Sequence, residues 1–203
     1  FLVQFYTRHG VGLQDGWTII DVGAGVGDFS LYAGYGRPHA VVYALEPFQE
    51  SYGLLVENLT LNAVDNVTAF QKALWGQTGD LKLDLSGEEP LQIISQGLAE
   101  TRDASNIHLV QALSLEDFLS QESIDQVDLM KLDCEGAEYE ILMRASSQTL
   151  GKVDRLIMEY HQSGEGKNCQ ALAAYLEGEG YQVRCVKNLV HEDLGYLFAT
   201  RIS

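Results

Sequence analysis

The chain has 203 residues, 46% of them hydrophobic, which suits one domain with a sizeable buried core. Its 29 acidic and 13 basic residues give a formal net charge of −16, which disfavours nucleic acids and anionic membranes as partners, because binding phosphate requires clustered basic side chains. No apolar run approaches the ~18 residues of a transmembrane helix, so we expect no membrane partner and a cytoplasmic protein.

The three cysteines, Cys134, Cys169 and Cys185, contain no C-x-x-C pair and are odd in number. This pattern indicates neither a disulfide framework nor a zinc site and favours a reducing compartment. The first residues also lack the basic lead and long apolar stretch of a signal peptide. No repeat or linker divides the chain, so we expect a single domain over residues 1–203, with a lead-in segment over 1–16.

Short apolar runs alternate with helical patterns along the chain, which predicts an α/β fold with a mostly parallel sheet. The predicted strands are 17–22, 40–45, 67–70, 80–85, 127–132, 155–160, 181–186 and 195–200, and the predicted helices are 29–35, 51–62, 137–145 and 169–178. Six or seven of these strands fit one open sheet. The irregular stretch 86–106, rich in Gly, Pro, Ser and charged residues, is predicted to be a loop or lid.

Three alternating glycines, Gly23, Gly25 and Gly27, follow the acidic end of the first strand at Asp21. Glycines at such a turn let backbone approach a ligand closely. The spacing is G-x-G-x-G, whereas dinucleotide-binding turns read G-x-G-x-x-G, so the pattern leans away from NAD. An acid at the strand end suits a ligand with an ammonium group, such as S-adenosylmethionine, although a tight turn that merely needs positive φ is the alternative.

A second acidic residue, Glu46, closes the next predicted strand. A carboxylate at this point can accept hydrogen bonds from both ribose hydroxyls of an adenosine ligand. Acids occupy this place in NAD and adenosylmethionine folds alike, so Glu46 favours an adenosine cofactor without choosing the chemistry. A solvated strand end is the alternative interpretation.

Three motifs resemble the FkbM family of methyltransferases: TIIDVGAGVG at 18–27, YALEP at 43–47 and, most specifically, KLDCEGAE at 131–138. Further matches occur in the same order at 56–62, 72–75, 113–118 and 158–161. The resemblance implies a class I, Rossmann-like methyltransferase fold with a seven-stranded sheet flanked by helices. It also implies S-adenosylmethionine as cofactor, S-adenosylhomocysteine as product, and O-methylation of a small hydroxylated molecule such as a sugar or polyketide. Many relatives carry Asn where this chain has Gly25.

The resemblance places the donor against the glycine turn and two later segments. The methionine moiety would lie on the turn, the ribose on Glu46, and the adenine between Phe48 and Leu74, although ordinary core packing is the competing role for these two side chains. The full set of donor-binding residues implied in this way is Asp21, Gly23, Ala24, Gly25, Gly27, Glu46, Pro47, Phe48, Lys72, Ala73, Leu74 and Asp133.

The reaction centre is expected where the carboxyl ends of parallel strands meet, because ligands bind there in open α/β sheets. Methyl transfer needs a group that takes the hydroxyl proton, for which we expect His161, with Asp133 as the alternative base. Lys131 would pair with an acid or stabilise a developing alkoxide, and Glu159 completes the catalytic set. The acceptor pocket is expected to form from 86–106, the segment before Gly16, and 162–168.

We expect no resident metal. A weaker alternative is an oxygen-rich Mg²⁺ site formed by Asp133, Glu135, Glu159 and His161, with Glu138 nearby. Glu138 otherwise caps or solvates the helix that opens after Gly136, and Cys134 is expected in the core. Two other functions remain open, an NAD-dependent oxidoreductase and a noncatalytic module that binds the donor.

Overall fold

The computed structural model describes residues 11–84, 92–94, 107–161, 168–188 and 194–202. The strands are β1 (Thr18–Val22), β2 (Val41–Leu45), β3 (Val67–Phe70), β4 (Ala73–Leu74), β5 (Gly79–Asp84), β6 (Gln92–Ile94), β7 (Ile107–Leu113), β8 (Leu129–Leu132), β9 (Arg155–His161), β10 (Tyr181–Lys187) and β11 (Leu194–Arg201). The helices are α1 (Asp28–Gly34), α2 (Gln49–Leu61), α3 (Leu115–Gln121), α4 (Glu138–Arg144), α5 (Ser147–Leu150) and α6 (Cys169–Gly178).

Seven strands form the central sheet in the order β10-β11-β9-β8-β1-β2-β3. The five neighbouring strands β9, β8, β1, β2 and β3 pair in parallel, and β11 runs antiparallel to both of its neighbours. This confirms the expected mostly parallel sheet of seven strands with helices between them, the class I methyltransferase architecture. The parallel strands β2, β1, β8 and β9 lie side by side, so the loops after their carboxyl ends meet at one edge.

Both faces of the sheet are covered, which explains why apolar residues in its central strands occur in runs rather than alternating with polar ones. Along β1 and β8, Ile20 and Met130 pack on one face with Phe118 of α3. Ile19 and Leu129 point to the opposite face, where Phe29 of α1 covers them. All six side chains are almost completely buried, so the core lies on both sides of the strands that carry the glycine turn.

A second sheet of four strands, in the order β4-β7-β5-β6, was only partly predicted. The predicted strand 80–85 is confirmed as β5, which pairs antiparallel with β6 and β7. The prediction of a loop or lid over 86–106 is wrong at 92–94, where β6 lies; the rest of that stretch is outside the described residues. β7 and α3 were missed, because the cross-strand pairing that stabilises β7 cannot be seen in a local sequence window.

The other predicted elements are confirmed within about two residues at their ends, and α6 has the predicted bounds. The short helix α5, which follows the Ser146 cap, was missed. Among the described residues, no helix is long and apolar enough to cross a bilayer.

Cys169 and Cys185 form a disulfide, so the expectation of no disulfide is wrong. Cys169 is the first residue of α6 and Cys185 lies in β10, with their Cα atoms 6.6 Å apart. Helix and strand follow each other along the chain and pack together, so the two cysteines meet across a sequence separation of 16 residues. Cys134 is a free thiol.

Candidate active site

The glycine turn after β1 is a tight loop held against two neighbouring strands. The amides of Gly23 and Ala24 both donate to the Leu45 carbonyl at 3.0 Å. All three alternating glycines have positive φ, 71° at Gly23, 55° at Gly25 and 91° at Gly27. A Cβ atom at Gly23 would overlap the carbonyl oxygen of Asp133, and one at Gly27 would overlap the side chain of Leu55. These two positions therefore require glycine for both conformation and space.

Gly25 differs from the other two glycines, because a Cβ atom built there would meet nothing within 4 Å. Its backbone faces open space, and its left-handed conformation is one that Asn also tolerates. An Asn at this position would therefore fit this backbone.

A buried ion pair lies beneath the turn. Lys131 Nζ is 3.0 Å from Asp21 Oδ1, and it donates a hydrogen bond of 2.9 Å to the Gly23 carbonyl. The other carboxylate oxygen of Asp21 accepts from the Ser30 hydroxyl at 2.6 Å. Burial lowers the pKa of Lys131, but the charges of Asp21 and Asp133 outweigh this effect and raise it, so the amine stays protonated. Of the two roles expected for Lys131, the structure gives it the pairing with an acid.

Glu46 lies just after β2 with 5% of its surface exposed. Its Oε2 accepts from the Gly25 amide at 2.9 Å and its Oε1 from the Phe48 amide at 3.0 Å. Burial raises the pKa of Glu46, while these two backbone hydrogen bonds act to lower it. Each oxygen keeps a second lone pair, so the carboxylate is fixed in place and can accept two further hydrogen bonds.

A cavity of about 280 Å³ opens beside the turn and Glu46. Nine of its lining residues were predicted to bind the donor: Gly23, Gly25, Glu46, Pro47, Phe48, Lys72, Ala73, Leu74 and Asp133. The remaining predicted residues do not line the cavity in the described part of the chain. Asp21 is in β1, and Ala24 and Gly27 are in the turn that follows it.

Several lining residues were not predicted, namely Ser51, Trp75, Leu81, Leu83, Cys134 and Ala137 among others. Leu81 and Leu83 come from β5, so the second sheet supplies one apolar wall of the cavity. The alternation of apolar residues in β5 was a usable signal, but only the tertiary structure shows which surface that strand covers. Cys134 is half-buried and lines the cavity, so the expectation of a pure core position is only partly met.

The carboxyl ends of β8 and β9 bring His161 together with three acids. His161 Nε2 is 3.0 Å from Glu135 Oε2 and 3.8 Å from Glu159 Oε1, and its Nδ1 is 3.6 Å from Glu138 Oε1. The expected convergence of these side chains is therefore present. Glu138 is completely buried, so the alternative in which it is solvated is wrong.

The imidazole of His161 is surrounded by negative charge. Burial lowers its pKa, but the hydrogen bond to Glu135 and the nearby charges of Glu135 and Glu138 outweigh burial and raise it to about 10. The hydrogen bond from His161 correspondingly lowers the pKa of Glu135. Burial, reinforced by the charge of Asp133, raises the pKa of Glu159. At neutral pH His161 is thus an imidazolium with no free lone pair, which disfavours the role of base predicted for it.

The residues weighed for a metal do not form a metal site. Within the part of the chain that the structure describes, no group of three or more His, Cys, Asp or Glu side chains is arranged to hold an ion. Instead of offering a lone pair to a cation, His161 forms ion pairs with its carboxylate neighbours. The Mg²⁺ alternative on Asp133, Glu135, Glu159 and His161 therefore has no support.

Comparison with known families decides the assignment that the sheet order and glycine turn suggest. Residues 21–183 match the family described as methyltransferase FkbM domain. The chain belongs to the FkbM methyltransferase family. Two curated relatives are named as methyltransferases. The methyltransferase sdnD of Sordaria araneosa is 30% identical over 193 residues, covering 81% of this chain and 73% of its own.

The second relative is 31-O-demethyl-FK506 methyltransferase FkbM of Streptomyces tacrolimicus, 23% identical over 208 residues, with 90% of this chain and 79% of the relative covered. Among solved structures, methyltransferase FkbM of Methylobacillus flagellatus superposes with a TM-score of 0.66 at 16% identity. That match covers 96% of this chain and 46% of the other, and it confirms the class I fold of the FkbM domain.

Proposed function

We propose that this FkbM domain transfers a methyl group from S-adenosylmethionine to a hydroxyl oxygen of a small molecule. The observation that carries the proposal is Glu46, a buried carboxylate held by two backbone amides at the mouth of the glycine turn, with spare acceptor capacity facing a cavity. A vicinal pair of ribose hydroxyls offers two donors at the spacing of one carboxylate.

The other residues around the cavity suit the remaining parts of the donor. The apolar residues Phe48, Leu74 and Leu81 provide surfaces for the flat adenine base. At the opposite end, Gly25 leaves open space beside the turn, and Asp133 adds negative charge that favours a ligand with a sulfonium and an ammonium group. The carboxylates that surround this space make it a poor site for pyrophosphate, which argues against NAD.

The bound donor would supply a methyl carbon attached to positively charged sulfur, so that a bond from the acceptor oxygen to carbon forms as the carbon–sulfur bond breaks and its electron pair remains on sulfur. The chain's own task is to align the acceptor and accept its hydroxyl proton. Asp133 fits this task, since it lines the cavity and 22% of its side chain is exposed. Asp133, the alternative base of the sequence prediction, is thus the base that we propose in place of His161.

A small hydroxylated acceptor is also consistent with the relatives. The Streptomyces relative is named for a substrate that lacks a methyl group on oxygen. The chain's formal charge of −16 disfavours nucleic acid as the acceptor. A sugar or polyketide hydroxyl is the acceptor class that we infer.

Transfer of radioactive methyl from labelled S-adenosylmethionine to a panel of hydroxylated sugars, macrolides and polyketides tests this function. We expect incorporation into at least one panel member that is lost with Asp133→Asn, while Asp125→Asn, an exposed position, retains it. Donor binding without transfer to any acceptor would favour the noncatalytic module. NAD-dependent oxidation of an acceptor would favour the oxidoreductase.

A further inference from the structure

We propose that Glu138 is a positioning residue for the methyl-transfer reaction, whose carboxylate holds His161 and the turn at 133–136 together so that this turn forms one wall of the donor cavity. The inference rests on the proposed function of the cavity. It assigns to Glu138 a role beyond helix capping.

Glu138 reaches three groups with one carboxylate oxygen. Its Oε1 accepts from the Cys134 amide at 3.1 Å and from the Cys134 thiol at 3.5 Å. The same oxygen is 3.6 Å from Nδ1 of His161, an ion-pair distance that is too long for a hydrogen bond. Glu138 therefore connects the turn after β8 to the end of β9.

The burial of Glu138 is not explained by its position in α4. An acid in the first turn of a helix complements the helix dipole equally well when it is exposed, as Glu140 in the same turn is in part. Glu138 has no exposed surface, and removing a carboxylate from water is costly unless a positive charge compensates it. The positive charge that compensates it is the imidazolium of His161.

The turn that Glu138 holds is conformationally unusual. Glu135 has a φ of 55° and Gly136 one of 98°, two consecutive residues in the left-handed region. A non-glycine residue there is held by its surroundings, and Glu135 is held by the hydrogen bond from His161 Nε2 at 3.0 Å. The imidazole thus lies between two carboxylates, with Glu138 at ion-pair distance from Nδ1 and Glu135 hydrogen-bonded to Nε2.

This arrangement reaches the donor cavity directly, because Asp133, Cys134 and Glu135 all line it. Replacing Glu138 with glutamine keeps the shape but removes the charge. The imidazolium then loses the carboxylate that lies next to its Nδ1. Glu159 does not replace it, because Glu159 lies 3.8 Å from Nε2, the nitrogen that already binds Glu135. We expect His161 to hold its proton less tightly and Glu135 to hold the turn less firmly, which loosens the cavity wall.

The test uses the Glu138→Gln variant, with Glu140→Gln on the same helix as the matched control. Titration of the imidazole by NMR should show that the pKa of His161 falls by about one unit or more in E138Q. Calorimetry should show S-adenosylhomocysteine binding about tenfold more weakly, with KM for the donor rising more than kcat falls. Both properties should remain at their wild-type values in E140Q.

An unchanged His161 pKa and unchanged affinity in folded E138Q would overturn the proposal. If E138Q does not fold, Glu138→Asp takes its place, because it keeps the charge but moves the carboxylate back by one methylene. An unchanged His161 pKa and an unchanged affinity for S-adenosylhomocysteine in that variant would also overturn the proposal. Failure of the proposed function has a different signature, since wild-type protein would then bind no S-adenosylhomocysteine while the His161 titration would still respond to E138Q.

Discussion

Asp21 and Lys131 are directly opposite each other on the neighbouring parallel strands β1 and β8, with Lys131 Nζ 3.0 Å from Asp21 Oδ1. The pair is buried, and the same ammonium holds the Gly23 carbonyl. Two ionic residues therefore fix the glycine turn from below without contacting the cavity. They link the stability of the sheet to the shape of the site.

Lys131→Met should lower the free energy of unfolding by about 3–5 kcal/mol, because it leaves the Asp21 carboxylate buried without its cation. Urea denaturation measures the change, and exposed Lys187→Met serves as the control. The double variant Asp21→Asn with Lys131→Met should recover part of the loss, since neither partner is then charged. Additive losses in the double variant would refute the coupling.

Glu46→Gln should weaken binding of S-adenosylhomocysteine about 10- to 100-fold. The glutamine amide presents an NH₂ group to one of the two backbone donors that hold Glu46, and one charge-assisted acceptor for ribose is lost. Isothermal titration measures this, with exposed Glu50→Gln as the control. Equal affinity of E46Q and wild type for S-adenosylhomocysteine would show that Glu46 does not bind the ribose.

Asp133→Asn should reduce kcat by about 10²- to 10⁴-fold, the usual contribution of a general base. The amide preserves the shape of the cavity wall but removes a charge that favours the cationic donor. Because that charge is partly exposed and screened, donor affinity should fall only a few-fold. Steady-state kinetics with a saturating acceptor separates the two effects. A kcat within a few-fold of wild type would exclude Asp133 as the base.

The His161 cluster should make stability depend on pH in the alkaline range. The pKa of His161 is raised to about 10 in the folded protein, above the ~6.5 of an unfolded chain, so its stabilisation is complete below pH ~6.5 and is lost as pH rises through 10. Denaturation between pH 6 and 10 should therefore show a stability gap between wild type and His161→Gln that narrows with rising pH. A gap that is constant over this range would mean that His161 is uncharged in the fold.

Reduction of the Cys169–Cys185 disulfide should lower the free energy of unfolding by about 3 kcal/mol, the value expected for a loop of this length. Urea denaturation with and without a reductant provides the measurement. The reductant should still lower the free energy of unfolding of Cys134→Ser. It should leave that of the double variant Cys169→Ser with Cys185→Ser unchanged. Equal stability of wild type in both conditions would show that the bond does not form in solution.

The sequence predicted most of what depends on local pattern and on family motifs. The glycine turn, the acid at Glu46 and the strand ends at Asp133 and His161 are all visible because each occupies a fixed place after an apolar strand. Their nearness follows from parallel pairing, since the carboxyl ends of β1, β2, β8 and β9 share one edge.

What the sequence did not predict depends on environment. The charge state of His161 is determined by two carboxylates that approach from another element, and no spacing rule reports that approach. Asp21 was predicted to lie against the donor. In the structure its carboxylate is buried and forms an ion pair with Lys131. The disulfide and the apolar wall from β5 likewise arise from tertiary contacts between elements whose local patterns do not specify their partners.

The proposed function requires that the cavity beside Glu46 binds S-adenosylmethionine. Its most direct test is calorimetric titration of the wild-type protein with S-adenosylmethionine, S-adenosylhomocysteine and NAD in parallel, with and without magnesium. We expect the first two ligands to bind at one site per chain, independent of magnesium, and we expect NAD not to bind. Binding of NAD alone, or of none of the three, would contradict this expectation.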